Sequence, residues 1–358
     1  MRIVADLDKI AVNARAAVEL CARHDVSVAA VTKSVCGDPG IVRAILAGGV
    51  TTIADSRLDN VRRMRDAGID CDVLLLRLPA PSEVEDVVAL ATQSLVSDPG
   101  VLRALSTAAV RQGKTHGVVV IVEWGDRREG VMPDDAEAVC RLALDLPGIE
   151  LAGVACNLNC LCGVLPTPQN LGEFAAFVES LEKSLGQRFP IVSGGHTTCL
   201  RFVDQGLLPP RIDHLRVGEG ILFGRDSIAD VPLPGGHTDT FKVYAEAIEV
   251  ADKPSAPAGE TGPDAFLRTR TWPDLGIRRR AVLAMGEIDV NVEWLHPTRS
   301  GVTIVGASSD HTVVDVTDAD PPVEVGDELE FRADYVAVAV AWASRCVRRE
   351  LLGGSFTP

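Results

Sequence analysis

The sequence contains few aromatic residues and few lysines. Phe, Trp and Tyr together make up 4% of its 358 residues, and only six of its 35 basic residues are lysines. The hydrophobic fraction is nevertheless 46%, so the chain can bury a sizeable core built of Val, Leu, Ile and Ala. Because the length exceeds that of one typical domain, it favours a large domain, such as an α/β barrel, together with a smaller one.

The chain also lacks positive charge. It has 50 acidic and 35 basic residues, which gives a formal net charge of −15. Binding to the phosphate backbone of a nucleic acid requires clustered Lys and Arg, so we expect no nucleic-acid partner. An anion can still bind, but it needs a local, preorganised site.

Long apolar runs and cysteine ligand motifs are absent as well. No apolar run approaches the roughly 18 residues that span a membrane, and no apolar signal segment follows Met1. The nine cysteines form no CxxC pair, and we interpret Cys160 and Cys162 as pocket wall or core. Most cysteines lie in apolar runs, which predicts buried thiols in a reducing compartment. We therefore predict a cytoplasmic protein with no metal site and no membrane contact.

Short apolar runs alternate with amphipathic helical stretches from residue 6 to about residue 230. Continuous apolar runs are typical of strands that are covered on both faces, as parallel strands are. Eight strand–helix units indicate a closed (β/α)₈ barrel of the TIM type rather than an open sheet. The first helix is predicted over 6–24, and the eight strands over 28–32, 51–54, 73–76, 94–97, 118–122, 151–156, 189–192 and 214–217.

The pattern changes beyond residues 232–236, which read PLPGG. Short β runs separated by Gly, Pro and Asp then recur at 241–250, 281–284, 302–305, 312–316 and 328–331. Helical patterns are largely absent until a closing segment near 337–351. We therefore predict two domains, a barrel over 1–233 and a C-terminal all-β domain over 234–358.

Lys33 is the most informative residue at the predicted strand ends, where barrel enzymes place their active sites. It ends the apolar run 28–32, so its stem emerges from a buried strand. A lysine in such a place can act as a nucleophilic amine or as a base. The structural alternative is a strand-end lysine that simply reaches solvent.

Two glycine-containing loops predict a phosphate site. Residues 193–198, SGGHTT, follow the seventh predicted strand, and residues 216–220, RVGEG, follow the eighth. In a barrel these two loops commonly bind phosphate through backbone N–H groups and a helix N-terminus. Each glycine pair alone is more typical of a turn, and only their joint position favours a phosphate site.

At this point the sequence resembles the alanine racemase-like, fold-type III pyridoxal-phosphate enzymes, and it is nearer to their ornithine racemase branch. The resemblance extends over nearly the whole chain. It implies a barrel followed by a β domain, bound pyridoxal 5′-phosphate, a small amino acid as substrate, and a homodimer with shared active sites. The motifs that carry it are AVTKS (30–34), ADSR (54–57), EVEDVV (83–88), GDRREG (125–130), IVSGG (191–195), RVGEGILFG (216–224), GASSDH (306–311) and VGD (325–327).

The resemblance also implies roles for residues at matching positions. Lys33 would hold the cofactor and act as one of two acid/base groups at the substrate Cα. Arg216 would face the pyridine nitrogen, which leaves the ring a weaker electron sink and limits side reactions. Arg128 and Ser309 would approach the substrate carboxylate. The remaining residues expected around the cofactor, several of them at its phosphate, are Asn157, Ser193, Gly194, Gly195, Thr197, Gly218, Glu219 and Tyr335.

The sequence departs from the alanine racemase pattern at the second acid/base. The stretch that should supply a tyrosine, AGETGPD (258–264), ends on Asp264. This carboxylate could transfer the proton if burial raised its pKa toward neutrality, or it could bind the distal ammonium of a basic amino acid. Asp310 and His311 are further candidates for recognition of the side chain or for proton transfer. These differences favour a racemase of a basic or polar amino acid, ornithine first. Decarboxylation, aldol cleavage and a non-catalytic cofactor carrier are the alternatives.

Overall fold

The chain divides into two units, and this computed structural model describes residues 1–226, 228–229, 231–354 and 356. The larger unit contains Asp8–Thr238 together with Gly354, and the smaller unit contains Met1–Leu7 and Asp239–Gly353. The first strand, β1 (Arg2–Asp6), therefore belongs to the smaller unit. The smaller unit is thus built from both ends of the chain, a topology that the sequence pattern did not predict.

Eight buried strands of the larger unit form a closed parallel barrel, and the predicted fold class is confirmed. Each strand pairs with the next along the chain, and the last pairs with the first to close the barrel. All residues of the strand that begins at His116 are buried, as expected where helices cover a sheet. The barrel strands are β2 (Ser27–Val31), β3 (Thr52–Asp55), β4 (Asp72–Leu75), β5 (Gln93–Val96), β6 (His116–Val122), β7 (Ile149–Cys156), β8 (Ile191–His196) and β9 (His214–Val217).

Helices follow the barrel strands, and local sequence explains where several of them begin. Asp38 and Asp98 each accept hydrogen bonds from the backbone N–H groups two and three residues further on, and a proline follows each of them. No helix within the described ranges is both long and apolar enough to span a membrane. The helices of this unit are α1 (Leu7–Ala22), α2 (Pro39–Ala47), α3 (Leu58–Asp66), α4 (Val84–Leu90), α5 (Pro99–Gln112), α6 (Pro133–Asp145), α7 (Pro168–Leu185), α8 (Leu200–Asp204) and α9 (Glu219–Leu222).

The buried core that these strands share is aliphatic, which explains how a chain with few aromatic residues can fill a barrel. Its members come from successive strands and include Ala29, Ala54, Leu74, Leu95, Val119, Ile121, Ala152 and Ala155. At the N-terminal ends of β5 and β6, Ser94 Oγ lies 2.9 Å from His116 Nε2, and both residues are buried. Polar residues at this end therefore satisfy each other, whereas function in barrels sits at the opposite end.

The smaller unit is a sheet with one α-helix, as the pattern beyond residue 236 predicts, and its strands are antiparallel except for the parallel pair β1 and β18. Before it, β10 (Arg225–Asp226) and β11 (Val231–Pro232) form a short two-stranded pair. The sheet order is β14-β17-β12-β13-β16-β15, and β1 pairs with both β12 and β18. Its remaining elements are β12 (Phe241–Pro254), β13 (Ile277–Leu283), β14 (Leu295–Pro297), β15 (Thr303–Ala307), β16 (Thr312–Asp315), β17 (Glu328–Ala333), α10 (Tyr335–Ala343) and β18 (Arg348–Leu352).

Candidate active site

Lys33 lies at the C-terminal end of the first barrel strand, in a short 3₁₀ turn over Lys33–Val35. Its side chain is exposed, while Thr32 before it and Ser34 after it are buried. Strand β2 pairs with β9, so Lys33 lies beside the loop that follows β9. A Cβ placed on Gly218 of that loop would lie 3.3 Å from Val31 Cβ.

The two loops expected to bind phosphate are in contact. Thr197 begins a short helical turn after β8, and the backbone N–H of Gly220 in the next loop donates to its Oγ1 over 3.1 Å. A Cβ on Gly220 would lie 2.8 Å from the Leu200 side chain and 3.3 Å from that of Thr197. Any larger residue there would push the loops apart. Gly218 and Glu219 stand at the start of α9, so the backbone at the first turns of two short helices meets at this place.

Ser193, Gly194 and Gly195 form the end of β8 rather than the following loop. Ser193 is buried, and a Cβ on Gly194 would come within 2.6 Å of the Ile212 side chain. Gly195 has a φ of +155°, and a Cβ there would lie 2.5 Å from Cys199 Sγ. The two glycines are therefore required for close packing behind the loop that carries Thr197.

Arg216 is a buried cation beneath these loops. Its guanidinium donates to the Ser193 hydroxyl and, over 2.8 Å, to the carbonyl oxygen of Cys156. Burial lowers the pKa of Arg216, and no carboxylate of the described residues lies within 4 Å of its side chain. A buried charge without an ionic partner is costly, so an acceptor that enters this end of the barrel would gain a strong donor.

His196, which the sequence indicated only as part of a loop, is a neutral ring at the end of β8. Its Nε2–H donates to the carbonyl oxygen of Leu158 over 3.0 Å, and its Nδ1 accepts from the backbone N–H of Thr198 over 3.4 Å. Burial lowers the pKa of His196 to about 4, and the positive charges of Arg216 and Lys33 act in the same direction.

Arg128 and Asn157 lie in neighbouring loops that buried carboxylates organise. Glu123 accepts hydrogen bonds from the backbone N–H groups of Gly125 and Arg128, the first over 2.5 Å and the second over 3.2 Å. The buried carboxylate of Asp126 accepts the backbone N–H groups of residues 160–162. Asn157 Nδ2 lies 3.5 Å from the same carboxylate.

The Arg128 guanidinium donates to the Glu129 carboxylate, and this hydrogen bonding is the main cause that raises the pKa of Arg128. Cys160 and Cys162 are exposed, which excludes the core and leaves the pocket wall for their predicted position, and Cys346 is exposed as well. The predicted burial of cysteines is confirmed for the four that lie within barrel strands and helices, namely Cys21, Cys140, Cys156 and Cys199.

Asp264, in the smaller unit, is an ion-paired carboxylate. Its oxygens accept the backbone N–H groups of Arg268 and Phe266, both within 2.9 Å, and it pairs with the Arg268 side chain at 2.9 Å. The N–H of Arg268 is the main cause that lowers the pKa of Asp264. The raised pKa that proton transfer by Asp264 would require is therefore not found within the single chain. Its role as second base stays a prediction.

The other predicted residues of the smaller unit are connected to Asp264 through Arg268. Arg268 also pairs with Glu287 at 2.8 Å, and the Glu287 N–H donates to the carbonyl oxygen of Ser308 over 3.0 Å. The turn between β15 and β16 that begins there carries Ser309, Asp310 and His311, the last two exposed. Ser309 Oγ donates to Asp310 Oδ2 over 2.9 Å.

Tyr335 is half-buried and begins helix α10, next to Asp334, whose N–H donates to Trp294 O over 3.1 Å. Neighbouring Glu293 pairs with Arg270 at 3.3 Å. No group of three or more His, Cys, Asp or Glu side chains in the described ranges is arranged to hold a metal ion.

Comparison with known proteins identifies the family. Residues 5–226 match the model described as "Alanine racemase, N-terminal domain". The chain belongs to the alanine racemase family. Two full-length relatives are each 36% identical to it: an ornithine racemase of Acetoanaerobium sticklandii over 98% of this chain and 99% of the relative, and a lysine racemase of Thermotoga maritima over 97% of both.

Solved structures of other proteins share the fold. The alanine racemase of Streptomyces coelicolor superposes with a TM-score of 0.75 at 18% identity over 98% of both chains. A D-threonine aldolase of Filomicrobium marinum gives a TM-score of 0.74 at 19% identity, covering 95% of this chain and 88% of the aldolase. At such identities the likeness shows the fold alone, while the family and its full-length relatives support an amino-acid racemase, as the sequence predicts.

The cofactor of this family is pyridoxal 5′-phosphate, and the residues at the C-terminal end of the barrel fit it. The closely packed loops at Thr197 and Gly220 present backbone donors to a phosphate, and a Cβ at Gly220 would part them. Arg216 offers a buried donor without an ionic partner among the described residues. Lys33 supplies an amine, and its positive charge contributes to the low pKa of His196.

Proposed function

We propose that this chain is a racemase of basic amino acids, with ornithine as the first candidate substrate. The observation that carries the proposal is that Lys33, the Thr197 and Gly218 loops and Arg216 meet at one end of a barrel. Both full-length relatives are named for racemisation of amino acids whose side chains end in an ammonium group. That shared property favours a basic substrate over alanine.

We assign the cofactor contacts as follows. Lys33 holds pyridoxal 5′-phosphate through its amine, and Thr197 with the backbone N–H groups of Gly218 and Glu219 binds its phosphate. Arg216 donates to the ring nitrogen, and Ser193 holds the guanidinium in place behind it. The residues that complete this surrounding in the proposal are Asn157, Gly194, Gly195 and, from the family position in the smaller unit, Tyr335.

When bound, the cofactor withdraws electrons from the substrate Cα and makes its proton acidic. Lys33 then takes or gives that proton on one face of the substrate. Arg216 keeps its own proton and denies one to the ring nitrogen, which limits side reactions. Arg128 binds the substrate carboxylate through its guanidinium, and we assign the backbone of Ser309 to the same group.

A second group must exchange the proton on the opposite face. We propose Asp264 for this position, with Asp310 and His311 as the next candidates. Because Asp264 accepts the backbone N–H of Arg268 and pairs with its side chain, its pKa is lowered and it is a carboxylate near neutral pH. Proton transfer by Asp264 therefore requires that the partner subunit or the bound substrate raise that pKa. The same charge would also suit the distal ammonium of ornithine. These two roles predict different kinetic defects and are separated experimentally below.

The proposal includes a homodimer in the cytoplasm. Lys33 is exposed in the single chain, and proton transfer at Cα requires that water be excluded from the substrate. A second copy whose β domain covers the barrel would exclude water and would bring Asp264 of the partner subunit to the substrate.

The purified protein, supplied with pyridoxal 5′-phosphate, should be tested against a panel of L- and D-amino acids. Chiral chromatography measures racemisation, and exchange of the Cα proton for deuterium detects slower turnover. We expect ornithine and lysine to racemise faster than alanine. Release of carbon dioxide or of an aldehyde would identify a decarboxylase or an aldolase instead, and a lack of exchange with every amino acid would support a cofactor carrier.

A further inference from the structure

The turn that carries Lys33 is held by side chains that the proposed reaction does not use. Its backbone reverses sharply, because Cys36 and Gly37 both have positive φ angles, +52° and +59°. The carbonyl oxygen of Thr32 accepts the backbone N–H groups of Val35 and Gly37 at 3.0 and 3.2 Å. Thr32 therefore accepts both of the hydrogen bonds that hold the two ends of the turn together.

Thr32 is in turn fixed by a buried carboxylate on the next strand. Its Oγ1 donates to Asp55 Oδ2 over 2.7 Å, and both residues are completely buried. Asp55 also accepts from Asn60 Nδ2 over 2.9 Å and from the backbone N–H of Arg57 over 3.0 Å. Burial raises the pKa of Asp55, and the hydrogen bonds from Thr32 and Asn60 oppose that rise.

The far side of the turn rests on the same group of residues. A Cβ on Gly37 would lie 2.9 Å from Asn60 Cβ, so the turn packs directly on Asn60. The Arg63 guanidinium donates to the carbonyl oxygen of Cys36 and lies 3.5 Å from Asn60 Oδ1. The turn is thus held before Lys33 through Thr32 and after it through Cys36 and Gly37.

We propose that Thr32, Asp55 and Asn60 form a clamp that fixes the backbone of Lys33, with Asp55 as the positioning residue for proton transfer by the lysine. The inference rests on the proposed role of Lys33. A lysine side chain has four rotatable bonds, so only a fixed Cα can keep its amine near the reacting atoms. The clamp acts on the turn and makes no contact with the substrate.

The test uses the holoenzyme and a matched set of variants. Thr32→Val removes the hydroxyl and keeps the shape, while Thr32→Ser restores the hydroxyl. Ser94→Ala is the control, because it removes a buried hydrogen bond, to His116, at the opposite end of the barrel strands. Asp55→Asn is the second clamp variant and serves where Thr32→Val is poorly folded.

For Thr32→Val we expect kcat to fall about 10- to 100-fold, since a displacement of about 1 Å can cost 10²-fold in rate. KM should change little, because no substrate contact is lost. The midpoint at which the absorption of the bound cofactor changes with pH should shift. Amide hydrogen exchange of residues 33–37 should be roughly tenfold faster. Thr32→Ser should recover kcat, the pH midpoint of the absorption and the amide exchange rate, and Ser94→Ala should change only the melting temperature.

The clamp is overturned if Thr32→Val and Asp55→Asn behave like Ser94→Ala, with lowered melting temperature but unchanged exchange, spectrum and kcat. Failure of the proposed function looks different. In that case borohydride would not attach the cofactor to Lys33, while the exchange of residues 33–37 would still report on the clamp.

Discussion

The candidate residues of the two units differ in how firmly they are held. In the larger unit, buried hydrogen bonds hold Arg216 and Asp55, and a hydrogen bond to the carbonyl oxygen of Leu158 holds His196. In the smaller unit, Asp310 and His311 are exposed in a turn, and Asp264 lies in a loop among charged side chains. The cofactor site is therefore preorganised within one barrel, whereas the groups proposed for the substrate lie on a surface. Such a division lets substrate preference change through loops while the barrel chemistry stays constant.

The largest effect on turnover should come from a substitution in the larger unit, where the cofactor site is preorganised. Replacing Lys33 with Ala should reduce turnover by at least about 10³-fold, because both the cofactor linkage and one acid/base group are lost. Borohydride should attach the cofactor to the Lys33 peptide of the unaltered protein, as measured by mass spectrometry.

Lys242, which pairs with Glu330 in the smaller unit, is the matched control for this experiment, and Lys242→Ala should keep its activity. Labelling of Lys242 or Lys253 instead of Lys33 would contradict the assignment.

The surface side is tested by Asp264→Asn. If Asp264 transfers the second proton, kcat should fall by roughly 10²-fold for both enantiomers, since each direction uses both groups. If it binds the distal ammonium, KM for ornithine should rise while alanine is little affected. Steady-state kinetics on both substrates separate the two roles.

Arg268→Gln is a useful companion variant, because it removes the nearer ionic partner of Asp264, leaves Arg270 at 3.8 Å and keeps the carboxylate. An Asp264→Asn enzyme with unchanged kcat and KM would exclude both roles and direct attention to Asp310 and His311.

A homodimer would cover the surface on which the groups proposed for the substrate lie. We expect sedimentation to give a dimer at micromolar concentration, with an interface above roughly 2,000 Å² as in obligate dimers. Specific activity should fall on dilution in step with dissociation. A monomer with full activity would show that one chain suffices.

The smallest effect concerns the stability of the larger unit at acidic pH. Burial lowers the pKa of His214 to about 3, and the charge of Arg216 contributes. The unfolded chain binds this proton near pH 6.5 while the folded chain does not, so stability should decrease as the pH falls from 6.5 toward 3, by up to about 1.4 kcal/mol per pH unit. Urea unfolding at several pH values measures the slope, and His214→Gln should reduce it, while His116 and His196, whose pKa values are also lowered to about 4 by burial, still contribute. An equal slope in the variant would assign the acid sensitivity to other groups.

The barrel could be predicted from sequence because its strands are apolar on both faces and its helices begin at visible caps such as Asp38 and Asp98. Strand β1 could not be predicted, because α1 begins immediately after its five residues and because its partners, β12 and β18, come from the far end of the chain. The positions of Lys33 and Arg216 followed from strand ends and family motifs.

The clamp around Lys33 was missed for a different reason. Asp55 was visible as an acidic residue after an apolar run, a pattern that also describes a solvated strand end. Its role depends on its contacts with Thr32 and Asn60 in the folded chain. Both are common residue types, and their spacing from Asp55 in the sequence forms no recognisable motif. Exposure of Cys160 likewise depends on the amides that Asp126 binds, which local hydrophobicity does not indicate.

The pairing of β1 with β12 and β18 has a consequence for the order of events during synthesis. The first strand leaves the ribosome before any of its partners exist, and β18 ends at Leu352. At about 5–20 residues per second, β1 waits roughly 20–70 s for that last partner. The barrel strands, all complete by Val217, can pair during this interval. The edge of β1 that pairs with β18 stays open throughout this interval, so a chaperone that binds β1 acts on a segment that is made before the barrel and completes its pairing after it.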